Sequence, residues 1–400
     1  MRLFLFLSII CTFSVNAEDI SRAVPEAFTG LNYTKAAVAE KAMVSAANPH
    51  AVNAGLDVLR NGGTAVDAAI AVQIMLTLVE PQSSGIGGGA FMLYFDGKSK
   101  KLTTFDGRET APELATPGLF IGRDGKPVKW IDAVIGGHSV GVPGVLKMLE
   151  NVHLKHGKLP WKDLLQPTIS LASKGFIVSP RLAKLVQMEM NPGLKLLSPA
   201  KDYFYPNGKA IKAGTVIKNK PLAESLTLIA EKGVDAFYKG KIANNIVAAV
   251  NNAAVAPGKL SLSDMANYQS KIREPVCVNY HKGQDYKICS MGPPSSGGIT
   301  VLQILKLLEQ YNLAENPIDS VLTIHRFTQA SKLAFADRNR YIADSDFVNV
   351  PVEQMLNADY LTQRSKLIDD RKDMPKAIAG NFNVDLASNV SIEQPNTSHI

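Results

Sequence analysis

The first well-patterned stretch of the chain carries apolar residues at helical spacing. Asn48-Pro49 supplies a cap and a first-turn proline, Val52, Leu56 and Leu59 form an apolar stripe, and Gly62-Gly63 stops the run, which predicts a helix. Thr64 then caps a second helix with Asp67 at its third position. From Ala65 to Val79 this segment is apolar on several faces, through Ala68, Ala69, Ile70, Ile74 and Leu78, so it is expected to be buried on more than one side. Pro81 ends it, and the pattern turns to strands: Ala90 to Phe95 and Leu102 to Phe105, joined by an Asp96-Gly97-Lys98 turn. Between about Gly141 and Ala254, helical stretches such as Leu222 to Lys232 alternate with loops rich in Gly, Pro and Asn, as in a helical layer with surface excursions. Beyond it, the Ser290 to Gly298 loop leads into a helix from Ile299 to Gln310, with Leu302, Leu305 and Leu308 on its core face. Another helix is predicted from Ser320 to about Ile342. The polar stretch from Asp369 to Pro395, with Gly380, Asn381, Asn383 and Asn389, reads as an exposed, mobile approach to the C-terminal residues.

Composition adds bounds to this outline. With 400 residues, 46% hydrophobic and 20% charged, the chain has material for a large core and one to three domains. The net charge is +7 and the pI near 9.1, but Lys and Arg are scattered and not interleaved with aromatics, which argues against a nucleic-acid track. Residues 1–17 combine Arg2, an apolar stretch from Leu3 to Ile10, and Val15-Asn16-Ala17 before Glu18. This reads as a signal peptide, too short to span a bilayer. Ile10 stands where a lipid-modified Cys11 would need a small residue, so soluble export without a stable membrane anchor is expected, to a bacterial periplasm or outside the cell. The sequons Asn32-Tyr33-Thr34 and Asn389-Val390-Ser391 leave a eukaryotic secretory route open. Removing the leader leaves 3 − 1 = 2 cysteines, Cys277 and Cys289. Their midpoint is Gly283, so a hairpin turning there would set them opposite each other; an oxidising compartment permits a disulfide without requiring one.

Candidate chemistry is sparse until the end of the chain. Gly85-Ile86-Gly87-Gly88-Gly89-Ala90 matches a dinucleotide-loop pattern, but a helix precedes it and a strand follows, the reverse of the required order. Close approach of its backbone to another element is the better reading. Arg108, just past the second strand, offers a planar fork for a carboxylate, set against a plain surface pair with Asp106 or Glu109. His153 and His156, one helical turn apart, read as solvated. Neither the histidines nor the Asp337-Arg338 and Asp344-Ser345-Asp346 runs follow a zinc or calcium pattern, so no metal and no cofactor are expected. Thr397, in E-Q-P-N-T-S-H-I, is placed like a nucleophile about to become an N-terminus: once the bond after Asn396 is cut, its own α-amine, with a pKa of roughly 7.7–8.0, can take the hydroxyl proton.

Several motifs occur in one order: N-G-G-T-A-V-D-A-A-I-A-V from Asn61, P-Q-S-S-G-I-G-G-G-A-F-M-L from Pro81, F-D-G-R-E-T-A-P from Phe105 and G-H-S-V-G-V-P-G from Gly137. G-P-P-S-S-G-G-I from Gly292, A-D-R-N-R-Y-I-A-D-S-D-F from Ala336 and N-T-S-H from Asn396 complete the series. From about Ala36 to Ile400 the chain resembles the precursor of a gamma-glutamyltranspeptidase, an N-terminal-nucleophile hydrolase. The resemblance implies an α+β fold, the four-layer αββα sandwich, and self-cleavage between Asn396 and Thr397 into a large subunit (18–396) and a small subunit beginning at 397. Thr397 would be the nucleophile and Arg108 the grip on the α-carboxylate of a γ-glutamyl group. Implied partners are glutathione or another γ-glutamyl substrate, an acceptor amino acid or peptide, and the small subunit from the same precursor. Ser398 departs from the usual second threonine and Ile400 from a common aromatic. The half-fold carrying the oxyanion hole lies beyond residue 400, so the sandwich is expected to be incomplete and the 400-residue chain inactive alone. The competing expectations are a cephalosporin or poly-γ-glutamate acylase, and an inactive secreted binding remnant.

Overall fold

The structure is a computed structural model that describes residues 36–382, apart from positions 123 and 282. Helix α1 (Pro49–Arg60) begins as the sequence predicts, with the Asn48 side chain accepting the His50 amide at 3.0 Å. Its buried face is Ala51, Ala54, Gly55 and Val58, while Val52, Leu56 and Leu59 flank it half-buried. Small residues on that face let α2 (Ala65–Val79) lie close against it. Thr64 and Asp67 form a reciprocal capping box on α2: the Asp67 carboxylate accepts the Thr64 amide at 2.8 Å, and the Asp67 amide donates to the Thr64 hydroxyl at 3.2 Å. Asp67 is fully buried and also accepts the Lys158 and Leu159 amides. As expected, α2 is buried on nearly all sides, with Ile70, Val72, Ile74 and Leu76 wholly enclosed.

Strands β1 (Ala90–Asp96) and β2 (Lys101–Gly107) form an antiparallel hairpin whose register runs from Asp96 opposite Lys101 to Ala90 opposite Gly107. Helices α3 (Val145–His156), α4 (Trp161–Lys174) and α5 (Lys220–Lys232) follow. The last starts before Leu222 because Asn219 caps the Leu222 amide and Pro221 sits in the first turn, where its missing N–H is not needed. The two histidines of α3 are half-buried and packed against other rings. His153 lies against Trp161 with Nε2 2.8 Å from the Leu159 carbonyl oxygen, and the His156 ring is 4.2 Å from that of Tyr94. The C-terminal turn of α3 is folded onto the cap of α2, with the Thr64 hydroxyl donating to the His156 carbonyl oxygen, which takes these rings partly out of water.

Strand β3 (Lys271–Arg273) adds to the free edge of β2, with Thr104 opposite Arg273 and Asp106 opposite Lys271. A separate hairpin, β4 (Val276–His281) and β5 (Asp285–Ser290), precedes α6 (Gly297–Leu308), α7 (Val321–Tyr341) and α8 (Ala358–Ser365). Among the described residues the sheets are therefore β1–β2–β3, the β4–β5 ribbon, and a two-stranded ribbon of Phe176–Ile177 with Val216–Ile217. The main core gathers α1 to α5 around β2, through residues such as Ile74, Phe105, Leu146, Leu165 and Leu226. Two smaller clusters share α6: Leu307 and Leu308 meet Leu333 and Leu361, and Ile299 and Leu302 meet Val276, Val278 and Tyr341. Each such buried side chain contributes roughly 1.5–3 kcal/mol. Among the described residues no helix is long and apolar enough to cross a membrane.

Cys277 and Cys289 face each other across β4 and β5 and are bonded as a disulfide, with Gly283 at the turn in a left-handed conformation. Loop-closure arguments assign a bridge around about a dozen residues roughly 3 kcal/mol. Reduction, or a Cys277→Ala/Cys289→Ala double variant, is expected to lower the guanidinium midpoint correspondingly. An unchanged midpoint would mean that burial of Val276 and Val278 alone holds the ribbon.

Candidate functional site

Arg108 emerges where β2 ends, and its placement follows from what fixes the preceding residues. Asp106, only 5% exposed, uses one carboxylate oxygen to accept the Arg108 amide at 2.8 Å and the other to accept Arg273 Nε at 2.6 Å. The Arg108 carbonyl oxygen accepts the Tyr268 hydroxyl at 2.7 Å. Burial pushes the Tyr268 hydroxyl above its ordinary pKa, with Asp106 and Glu109 adding to the shift, so it stays a donor. The backbone on both sides of the arginine is thus held. Its guanidinium is not: the side chain is 57% exposed, and among the described residues its ion-pair partner is Glu109, with Nη1 to Oε2 at 3.5 Å.

The glycine-rich loop does make the close approach its composition suggests. A Cβ on Gly89 would lie 2.5 Å from Glu109 Oε2 and 2.7 Å from the Gly107 carbonyl oxygen, so a larger residue would drive this segment apart. The Gly88 carbonyl oxygen accepts the Gly144 and Val145 amides at 2.9 and 3.1 Å, at the start of α3. Among the described residues no hydrogen-bond donor reaches the buried Glu109 Oε2, and Arg108 is its compensating charge.

Arg273 is the residue that sequence reading missed. Besides Asp106 it engages Asp346, Nη2 to Oδ2 at 2.7 Å and Nη1 to Oδ1 at 3.1 Å, and Lys271 joins the same carboxylate. Alternation in Lys271-Ile272-Arg273 sets both cations on one side of a strand, and that was the available signal. Arg273 and then Lys271 hold the Asp346 carboxyl well below the usual carboxylate range. A carboxyl depressed in the fold stabilises above its unfolded pKa, near 3.9, and loses that contribution only as pH falls through the folded value. The bridge therefore persists at neutral and mildly acidic pH.

The other acidic residues of the Ala336–Phe347 motif also have protein partners. Asp337, 2% exposed, accepts the Tyr360 hydroxyl, Arg364, Gln303 and the Gly380 amide, and Arg338 Nε meets Ser296 of the Gly292–Ile299 loop at 3.2 Å. Among the described residues, no group of three or more His, Cys, Asp or Glu is placed to hold a metal. The structure thus brings the Phe105, Pro81, Gly137 and Ala336 motifs together around Arg108. Thr397, Asn396 and residues 1–17 lie outside the described residues.

The fold mixes helices and strands and sets an exposed arginine at the end of a strand. The family model for Gamma-glutamyltranspeptidase matches residues 51–400. A glutathione hydrolase proenzyme of Bacillus subtilis (strain 168) is 41% identical over 347 residues, 86% of this chain and 58% of that protein. The crystal structure of Helicobacter pylori gamma-glutamyltranspeptidase superposes with a TM-score of 0.82 at 31% identity, over 89% of this chain and 100% of that one. A cephalosporin acylase from Bacillus halodurans gives a TM-score of 0.73 at 30% identity, over 86% of this chain and 63% of that one. The chain belongs to the gamma-glutamyltranspeptidase family. It spans 58% of the length of the Bacillus subtilis proenzyme.

Proposed function

We propose that residues 18–396 are the large subunit of a self-cleaving precursor, that Thr397 begins the small subunit, and that the mature enzyme cleaves or transfers γ-glutamyl groups of glutathione and related amides. In cleavage, the Thr397 hydroxyl attacks the Asn396 carbonyl carbon and its proton passes to the peptide nitrogen, which departs as the free α-amine; water then hydrolyses the resulting ester, releasing the Asn396 carboxylate and restoring the hydroxyl. In turnover, the same oxygen attacks the γ-carbonyl while that amine takes its proton and returns it to the departing amine. Water or an acceptor amino acid or peptide then releases the glutamyl group. The observation that carries this reading is Arg108, exposed on a braced strand end and engaged, among the described residues, by a loose contact with its neighbour. A substrate ending in a free α-carboxylate fits such a cation.

The remaining strands of a four-layer sandwich are assigned to the small-subunit half, which also supplies the oxyanion hole, so the 400-residue chain alone is read as inactive. Residues 1–17 are read as an export leader to the periplasm or exterior. The likeness to an acylase supports a second reading, hydrolysis of a different side-chain amide on the same fold. N-terminal sequencing of the mature full-length protein is expected to find a species beginning Thr-Ser-His-Ile; its absence from active enzyme would end the proposal.

A further inference from the structure

The polar segment after Asp369 is not loose where the structure describes it. It runs along α7 in the same direction as the helix, tied at successive turns. His325 Nε2 lies 2.8 Å from the Asp369 carbonyl oxygen, which also accepts Gln329 Nε2 at 2.7 Å, and Arg326 grips the Asp370 carboxylate through two nitrogens at 2.8 and 2.7 Å. Lys332 Nζ donates to Asp373 at 2.8 Å and to the Met374 carbonyl oxygen at 2.7 Å. The last ties converge on one residue. Gly380 donates its amide to Asp337 Oδ1 at 2.9 Å, and its carbonyl oxygen accepts the Tyr341 hydroxyl at 2.5 Å. A Cβ at Gly380 would lie 2.2 Å from Tyr360 Oη, so only glycine fits between the tyrosine and the helix. Phe382 closes the far side, its ring 4.7 Å from Tyr341 and 4.8 Å from Tyr360.

Both backbone groups of one residue are thus held by one helix, and its missing side chain is required by a third element. Asp337 is buried and its charge is met by Arg364 Nη2 at 3.2 Å, so it stays compensated when the Gly380 amide is released, and the clamp can be loosened without stranding a charge. Neither Gly380 nor its partners touch Arg108. The clamp bears instead on the chain downstream of it: Thr397 comes 17 positions later (397 − 380), whereas it comes 28 after the first tie, Asp369 (397 − 369).

We propose that the Gly380 clamp, made by Asp337, Tyr341 and Tyr360, is a positioning device for self-cleavage, fixing the point and direction from which the chain reaches the Asn396–Thr397 bond. This rests on the processing scheme proposed above. Releasing the clamp moves the last fixed point back to the Lys332 tie at Met374, 23 positions before Thr397 (397 − 374), and the three-halves-power dependence of loop closure makes that about a 1.6-fold dilution of the bond at its site. Loss of direction adds to it. A slowing of cleavage of about threefold to tenfold is expected.

The test uses the full-length precursor carrying Gly380→Ala or Tyr341→Phe, the second removing one hydroxyl while keeping the ring. Conversion to two chains is followed by denaturing gel and mass spectrometry, melting is checked in a Thr397→Ala background, and kcat and KM are measured on protein already converted. Slower conversion with parental melting and parental kcat and KM supports the clamp as a positioning device. Parental conversion in both variants overturns it, as does a loss of mature activity matching the loss of conversion, which would make the cluster general support for the fold. If Gly380→Ala does not fold, Tyr341→Phe decides by the same readouts. Failure of the parental precursor to convert, or conversion in Thr397→Ala, instead removes the processing scheme, and the clamp proposal with it.

Discussion

Thr397→Ala, made in the full-length precursor, is expected to yield a single uncut chain. On the proposed scheme two functions disappear together: the hydroxyl that attacks the Asn396 carbonyl, and the hydroxyl that later accepts the glutamyl group. Loss of a lone nucleophile commonly costs on the order of 10^4-fold or more, because the residual rate comes only from binding and electrostatics. The variant should therefore remain intact on a denaturing gel when the parental protein is fully converted. Thr397→Ser, which keeps a hydroxyl beside the future amine, should restore cleavage and some turnover. If Thr397→Ala still produced two chains cut at the same bond, another group would have to be the nucleophile.

The second large effect concerns Arg108. Its present partner, Glu109, is 3.5 Å from a guanidinium that is itself more than half exposed, a long contact worth about 1 kcal/mol. A charge-assisted hydrogen bond to a substrate carboxylate is worth roughly 1.5–3 kcal/mol, so the substrate prevails. Arg108→Lys retains the charge but not the planar fork, and is expected to raise KM for γ-glutamyl substrates about 10-fold to 100-fold. Self-cleavage, which involves no free α-carboxylate, should change by less than about twofold. An α-esterified substrate should lose little between parent and variant. Equal losses in cleavage and turnover would make Arg108 a structural residue.

Signals confined to a few neighbours were legible in the sequence. Asn48, Thr64 and Ser320 cap the helices they were expected to start, because a cap is a bond between residues two or three apart. The cysteine pair was legible as geometry, since a turn at Gly283 fixes which residues oppose each other. What escaped were contacts between distant segments. Asp106 and Arg273 are 167 positions apart, and nothing local to either announces the other. The buried stripe of α1 was misplaced because size, not hydrophobicity, decides which face a close neighbour takes: Ala51, Ala54 and Gly55 go in, and Leu56 stays at the margin. The stretch after Asp369 looked loose because its polar side chains and backbone groups are satisfied by α7, and polarity alone does not separate a tied segment from a free one.

The Asp106–Arg273–Asp346 line has a mechanical meaning. It joins the end of the β1–β2–β3 sheet to the loop leaving α7, two regions whose apolar cores are otherwise separate. Swinging one region against the other would part Arg273 and Lys271, which β3 holds on the sheet beside Asp106, from the Asp346 carboxylate, breaking three charge-assisted contacts at once. The seam is thus a weld rather than a hinge, and any opening needed to admit substrate has to come from a different part of the molecule.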